Sequence, residues 1–292
     1  MRKKFIEIIY NKMKINKKIF LIVGDLGFNL VEPIYKSYPK NFLNVGVAEQ
    51  NMAGIAAGIA SEGYHVFIYS IANFPTFRCA EQIRNDIDYH NLNVTIVSVG
   101  GGLSYGSLGY SHHALQDYAL MRSFPNMEII SPGDDNELQD SLIYSFKNPG
   151  PKYLRLEKDN KKIFNNKWKK KYKFGGLRTI KFKSIDKAII TTGPCLQKAV
   201  DLSYKKKFKE FSIYSLPIWS MKSKRKIKKQ ISKFKKILTI ENHLEDGGFS
   251  SWMREVNGAN TNIQISSMSL SSKVIGKVGS QNFLENQYYK IG

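Results

Sequence analysis

Short, almost unbroken apolar runs recur along the chain, each closing on a turn and each followed by a helical stretch. In the first half they are IFLIVGDLG (19–27), NFLNVGV (41–47), YHVFIYSI (64–71), NVTIVSVGGG (93–102), MEIISPGD (127–134) and KYLRLEK (152–158). Helical patterns at 49–62, 77–89, 115–125 and 135–146 lie between them. A strand that is apolar on both faces must be covered on both faces, and parallel strands need crossover helices to supply that cover. The alternation therefore predicts an α/β fold built on a parallel sheet. A second α/β unit follows: strand KAIITTG (187–193), helix CLQKAVDLSYKKK (195–207), strand EFSIYSLPIW (210–219), and the strand–loop–helix KKILTIENHLEDGGFSSWMREV (235–256). Between the two units, residues 159–187 shift to Lys, Asn and aromatics without clear periodicity. The expected division is a first domain at 1–160, a linker at 161–186 and a smaller domain at 187–292. The length of 292 residues accommodates two domains of ordinary size.

Composition removes several alternatives. The apolar runs, such as Ile19–Val23 and Val94–Val97, are far too short to span a bilayer, so no membrane partner is expected. The basic N-terminus MRKKFIEIIYNKMKINKKIF has no continuous apolar core and no small-residue cleavage site, and reads as an amphipathic helix. Two distant cysteines without CxxC spacing fit a reduced, cytoplasmic setting. The net charge of +21 would attract an anionic surface. The excess sits in lysine clusters at 167–173, 205–209 and 222–230, and no nucleic-acid-binding pattern accompanies them, so nucleic acid is not the expected partner.

One carboxylate stands out. In NVGVAEQNMAGIAAGIASEG (44–63), Glu49 falls between an apolar strand end and a helix rich in Gly and Ala. A plain reading makes it a first-turn glutamate favoured by the helix dipole. The other reading is a carboxyl held at an interface away from bulk water.

Several stretches together decide between these readings. NVGVAEQNMAGIAAGIASEGYHVFIYSI, AEQIRNDI with NLNVTIV, and GYSHHALQDYALMRSFPNMEIISPGD resemble, in this order, the pyrimidine-binding domain of transketolases and 1-deoxyxylulose-5-phosphate synthases. ITTG, LTIENHLEDGGFSSWMREV and VGSQNFLENQYYKIG resemble the C-terminal domain of the same family. The resemblance covers about residues 15–290 and implies thiamine diphosphate as cofactor. The family's further N-terminal domain carries a Gly-Asp-Gly…Asn motif for the diphosphate and metal, and no Gly-Asp-Gly occurs here. The chain thus resembles the C-terminal half of a split transketolase. Mg²⁺ (or Ca²⁺) would be held by a partner subunit, in an α2β2 assembly acting on sugars.

The resemblance also implies roles for single residues. Glu49 matches the glutamate that bonds the far nitrogen of the aminopyrimidine and shares its proton, which sets up the cofactor for deprotonation. Phe74 or Phe77 would stack on the pyrimidine. Counting back from AEQIR favours Phe74, and Tyr69 and Tyr105 are weaker candidates. Asp25 matches an aspartate near the cofactor and the dimer interface; the plain alternative is a turn or cap residue. His112 matches the histidine of the Thr-His-Gln segment, which faces the sugar carbonyl and hydroxyls. His113 stands where Gln is usual and joins the substrate-binding candidates. Adjacent side chains diverge and no third ligand is apparent, so no metal is expected at this pair. Arg155 matches an arginine that contacts substrate phosphate; its alternative is a salt bridge at a sheet end. Glu241 and His243 read as organisers of the second domain.

Two departures concern the substrate. Gly106-Ser107-Leu108-Gly109 stands where the family commonly has Gly-Glu-Asp-Gly, and glycine stands near position 100 where a phosphate-contacting histidine is typical. A phosphate anion that loses donors must be recognised differently. The expected substrate is therefore a modified or nucleotide-linked sugar, as in surface-polysaccharide or secondary metabolism. The competing readings are synthase-type decarboxylation of pyruvate, the β subunit of a 2-oxo acid dehydrogenase, and a non-catalytic regulatory subunit.

Overall fold

The computed structural model describes residues 1–158 and 175–292. The Lys cluster at 167–173 and most of the expected linker lie outside the described residues. Among the described residues, thirteen strands form two sheets. They are β1 (Ile19–Val23), β2 (Phe42–Asn44), β3 (His65–Ile71), β4 (Val94–Val99), β5 (Glu128–Ile130), β6 (Lys152–Leu156), β7 (Arg178–Lys181), β8 (Lys187–Thr191), β9 (Ser212–Ser215), β10 (Ile218–Trp219), β11 (Lys236–Leu244), β12 (Gln264–Leu270) and β13 (Tyr289–Ile291).

The first sheet runs β10-β5-β6-β4-β3-β1-β2 and is parallel except for β10. All residues of β4 and β6 are buried, as expected of central parallel strands covered on both faces. The second sheet runs β13-β12-β11-β8-β9-β7, with antiparallel strands only at its two edges. Its edge strand β7 falls within the stretch expected as linker.

The run 210–219, expected as one strand, is two. Pro217 carries no N–H and interrupts the ladder. β9 stays in the second sheet, while β10 crosses to the first, pairing Ile218 with Ile130 and Trp219 with Ile129. Trp219 then sits in a shared core. Its ring centroid lies 5.4 Å from Tyr118, 5.4 Å from Phe249 and 5.2 Å from Trp252. One continuous hydrophobic cluster runs from Ile22 and Ile68 of the first sheet to Trp252 and Val256 of the second unit.

The expected helix at 77–89 is also divided. A turn of helix at Phe74–Phe77 breaks at Cys79, and the chain resumes at Ala80–Gln82 before a π-helical stretch at Ile83–Asp88. Such irregular helical turns re-aim side chains and often border functional sites. The helix Glu49–Ser61 buries Met52, Ala53, Ala56, Ala57 and Ala60 against the sheet. Its small residues allow close approach on that face. On its other face a Cβ added at Gly54 or Gly58 would meet nothing within 4 Å.

In the second unit, Glu241 near the end of β11 accepts hydrogen bonds from the backbone N–H groups of Phe249 (2.6 Å) and Ser250 (2.8 Å). These are the first two N–H groups of the helix Phe249–Asn257, which lack intrahelical partners. Burial pushes Glu241 up to about 7 and holds His243 down at about 4. Both are enclosed; Glu241 ties β11 to the following helix, while His243 stacks on the Tyr118 ring at 5.3 Å.

Candidate active site

The carboxyl ends of β1, β3 and β4 meet the N-terminus of helix Glu49–Ser61. This is the edge of an open α/β sheet where ligands bind. Gly24 follows β1 and lies beside Glu49: a Cβ at Gly24 would lie 3.7 Å from Glu49 Oε1. Glu49 is 2 % exposed. Its Oε2 accepts a hydrogen bond from Arg78 Nη1 at 2.8 Å, while Oε1 has no partner among the described residues. A buried carboxyl oxygen without a partner is costly unless a ligand supplies one.

Arg78 is a site residue that sequence reasoning passed over. Its guanidinium carbon lies 4.2 Å from the centre of the Phe74 ring, so one side chain links Glu49 and Phe74. The only sequence signal was its place inside FRCAEQ, directly after Phe77. Burial, with Glu49 adding to it, pushes the neighbouring Cys79 thiol up to about 12 and keeps it protonated.

Phe74 is half-buried, and its ring centroid lies 5.3 Å from that of His112, edge to face. Phe77, the other aromatic candidate, is 46 % exposed. No ring contact or hydrogen bond ties it to Glu49 or His112 among the described residues. The geometry therefore brings Phe74, and not Phe77, to Glu49.

His112 reaches the site on the loop 103–113. The loop is clasped at its base by a bridge between Gly102 and Ala114. Asn73 holds its C-terminal end, donating from Nδ2 to the backbone carbonyls of Ser111 and His113, each at 3.0 Å. Burial, then His113 and Arg78, lower the His112 pKa, so the imidazole is neutral at neutral pH. Asn73 is a second positioning residue that the sequence alone did not disclose.

Two candidates sit differently from expectation. His113 is 1 % exposed, and its Nε2 donates to the Gly106 carbonyl at 3.1 Å. It shapes the loop from inside, and its buried Nδ1 has no hydrogen-bond partner among the described residues. Arg155 is likewise enclosed: its Nε pairs with Asp117 Oδ2 at 2.7 Å, Nη2 donates to the Ala114 carbonyl at 2.7 Å, and Nη1 donates to Asn242 Oδ1 at 2.5 Å. The substrate-phosphate role is replaced by the sheet-end salt bridge, because these donors are spent inside the protein.

Asp25 lies on the exposed loop after β1 with φ +55°. Asn44 clamps it: the Asp25 N–H donates to Asn44 Oδ1 at 3.0 Å, and Asn44 Nδ2 donates to Asp25 Oδ1 at 3.1 Å. Asp25 thus fixes the turn beside Gly24 and Glu49. Gly100, near the position where a histidine is typical of the family, has φ +82°, and a Cβ there would run into the Tyr105 ring. Tyr105 fills the space that a longer side chain would need.

The site therefore offers a buried carboxyl, an aromatic face beside it, and a neutral imidazole on a fixed loop. Residues 1–162 match the family "Transketolase, pyrimidine binding domain". The chain belongs to the transketolase family. It is 33 % identical over 264 residues to a putative transketolase C-terminal section of Methanocaldococcus jannaschii, covering 89 % of this chain and 82 % of that protein. It is 31 % identical over 230 residues to one of the subunits of the apulose-4-phosphate transketolase of Actinobacillus succinogenes, covering 77 % of this chain and 73 % of that protein. A solved split-gene transketolase, described as an inactive beta4 tetramer, superposes with a TM-score of 0.80 at 26 % identity, covering 93 % of this chain and 89 % of that one. The transketolase relatives thus include proteins that, like this chain, align as a C-terminal section. Among the described residues no group of three or more His, Cys, Asp or Glu side chains could hold a metal ion, and no helix is long and apolar enough to cross a membrane.

Proposed function

We propose that this chain is the C-terminal subunit of a thiamine-diphosphate-dependent transketolase that moves a two-carbon ketol unit between sugars. The observation that carries the reading is Glu49: a buried carboxylate with one partnerless oxygen, next to the half-buried Phe74. That pairing fits an aminopyrimidine, whose ring nitrogen needs a carboxyl and whose face needs an aromatic. Bound there, the cofactor would supply a nucleophilic carbon that accepts the two-carbon unit. Glu49 would orient the ring and share a proton with its nitrogen. Arg78 holds Glu49 in place, and Phe74 walls off water. The neutral His112 can donate to a sugar oxygen as charge develops on it. In this reading His112→Ala lowers kcat/KM for the sugar by about 10²-fold and leaves cofactor binding intact, as checked by steady-state kinetics beside a cofactor titration.

The diphosphate and its Mg²⁺ (or Ca²⁺) belong to an N-terminal partner chain, because no Gly-Asp-Gly motif occurs in this one. The rim of the site supports a partner there. Val47, two residues before Glu49, is 71 % exposed, and the glycine face of helix Glu49–Ser61 stands open beside it. The described inactivity of the beta4 neighbour accords with this dependence. The assembly we favour is α2β2, in the cytoplasm, with the chain divided as a pyrimidine-binding domain at 1–160 and a C-terminal domain that runs from 187 and takes in β7 from the stretch expected as linker. The relative from A. succinogenes is named for apulose 4-phosphate. Together with the apolar Leu108 and the Tyr105-filled space over Gly100, this favours a modified sugar over the common pentose phosphates.

Reconstitution tests the proposal. The purified chain alone should show no ketol transfer. Activity should appear on mixing it with a co-purifying chain that carries Gly-Asp-Gly…Asn, thiamine diphosphate and Mg²⁺. Decarboxylation of pyruvate by the same complex, without ketol transfer, would move the assignment to the synthase class.

A further inference from the structure

One face of the second sheet is covered only in part. Ile189 of β8 and Leu238 and Ile240 of β11 pack there with Leu196, Ala199 and Leu202 of the helix Cys195–Leu202. That helix has eight residues, and the chain leaves it through a turn at Lys206–Phe208 before β9 begins at Ser212. Toward the amino ends of the strands the face stays open. A cavity of about 560 Å³ lies there, within the size range of small-molecule sites. Leu238 and Ser266 form its floor. Phe208 and Phe211 wall it on the β9 side, and Ile291 of β13 walls it on the other.

Strand register sets the charge. Lys187 of β8 pairs with Lys236 of β11, and Lys236 pairs with Gln264 of β12. Residues paired across neighbouring strands share a face, so two ammonium groups stand side by side at the edge of the cavity. Like charges set opposite each other across strands cost stability. Lys207 adds a third cation, with its Nζ 5.5 Å from the centre of the Phe208 ring. All three lysines line the cavity, and no Asp or Glu side chain does. Among the described residues no ion pair holds any of the three. Asp186, just outside β8, accepts a 2.5 Å hydrogen bond from Ser184 Oγ and does not line the cavity. Gly292 borders it beside β12, where its N–H donates to the Ser267 carbonyl at 2.9 Å.

These features specify a ligand with two unlike ends. Charge that the fold leaves uncompensated favours an anion, and an ammonium is a compact point charge that suits phosphate. A phosphate dianion offsets more of three positive charges than a single carboxylate does. Leu238, Phe208 and Phe211 carry no polar side-chain atom, so the remainder of the ligand meets apolar and aromatic surface.

We propose that this cavity binds an organic phosphate monoester, with Lys187 and Lys236 on the phosphate and an aromatic or apolar frame against Phe208 and Phe211. No residue of the Glu49 site lines it. The probes are phenyl phosphate, inorganic phosphate and benzyl alcohol, each titrated calorimetrically into the full chain. Phenyl phosphate should bind at one site, more tightly than either of the others. Lys187→Gln/Lys236→Gln should weaken it about tenfold, the worth of two partly exposed charge contacts. Arg225→Gln/Lys229→Gln removes the same charge from exposed positions on the helix Lys224–Ile231 and should leave the affinity unchanged. Phe211→Ala should bring phenyl phosphate down toward inorganic phosphate. Thermal midpoints of the variants, measured alongside, check that each is folded. Three results overturn the proposal. One is no binding of phenyl phosphate at millimolar concentration. Another is equal affinity for phenyl and inorganic phosphate, the sign of an adventitious ion only. The third is an equal loss in the two double variants, which would trace the binding to the general charge of the chain. Because ketol transfer is not the readout, failure here leaves the proposed function standing.

Discussion

Glu49→Gln in the reconstituted complex should lower kcat by about 10²–10⁴-fold, the usual contribution of a positioned proton-sharing group. The substitution is nearly isosteric. A glutamine oxygen can still accept from Arg78 in place of Oε2, and the helix Glu49–Ser61 keeps its buried alanine face. What is lost is the ability to share a proton with the ring nitrogen. The effect should therefore fall on kcat, with the thermal midpoint little changed and the subunits still assembled. Removing an interaction made only on the way to the transition state lowers kcat and kcat/KM together. Circular dichroism and size-exclusion chromatography of the variant complex would verify folding and assembly, and initial rates would give the loss. A fully active Glu49→Gln complex would remove the catalytic role and make a regulatory subunit the better reading.

How much of this was legible in sequence follows from the physics of each element. The strands of the first sheet read clearly because β4 and β6 are buried on both faces, which demands unbroken apolar runs such as VTIVSV. Glu49 drew notice at a strand–helix junction, but its residue type alone fits an ordinary first-turn glutamate, and only the family resemblance pointed to a cofactor role. The division of 210–219 did not, since Pro217 could mark an edge or an end, and only tertiary pairing sends Trp219 to the other sheet. Arg78 and Asn73 stayed hidden for another reason. Neither belongs to a periodic pattern, and each matters through contacts with residues 29 to 40 positions away. His113 and Arg155 show the reverse difficulty. Their residue types suggest exposed chemistry, whereas both are buried, His113 bonded through Nε2 to Gly106 and Arg155 to Asp117, Ala114 and Asn242.

That commitment makes Arg155→Met the second large prediction, an effect on stability. Arg155 extends from β6 of the first sheet to Asn242 on β11 of the second, and pairs with Asp117 between them. Removing one member of a buried ion pair leaves the other charge desolvated, at a cost of about 3–5 kcal/mol. In Arg155→Met the stranded group is the Asp117 carboxylate, which is 0 % exposed and retains the 2.6 Å hydrogen bond donated by Tyr153 Oη, with His243 Nε2 3.9 Å from its other oxygen. The shared cluster that runs through Trp219 makes the two units one cooperative body, so unfolding should stay a single transition. Urea denaturation should then show a lower midpoint with an unchanged slope, the mark of altered stability without altered exposed surface. The double variant Arg155→Met/Asp117→Leu separates the two causes. If the loss comes from a stranded charge, removing that charge recovers most of it, because a buried pair and well-packed apolar groups are often nearly equivalent. If Arg155 serves mainly as the hydrogen-bonded link to Asn242 and Ala114, the double variant stays as unstable as the single one. A loss below about 1 kcal/mol in Arg155→Met, the scale of an exposed pair, would show that water reaches the seam and that the arginine is available to a ligand after all.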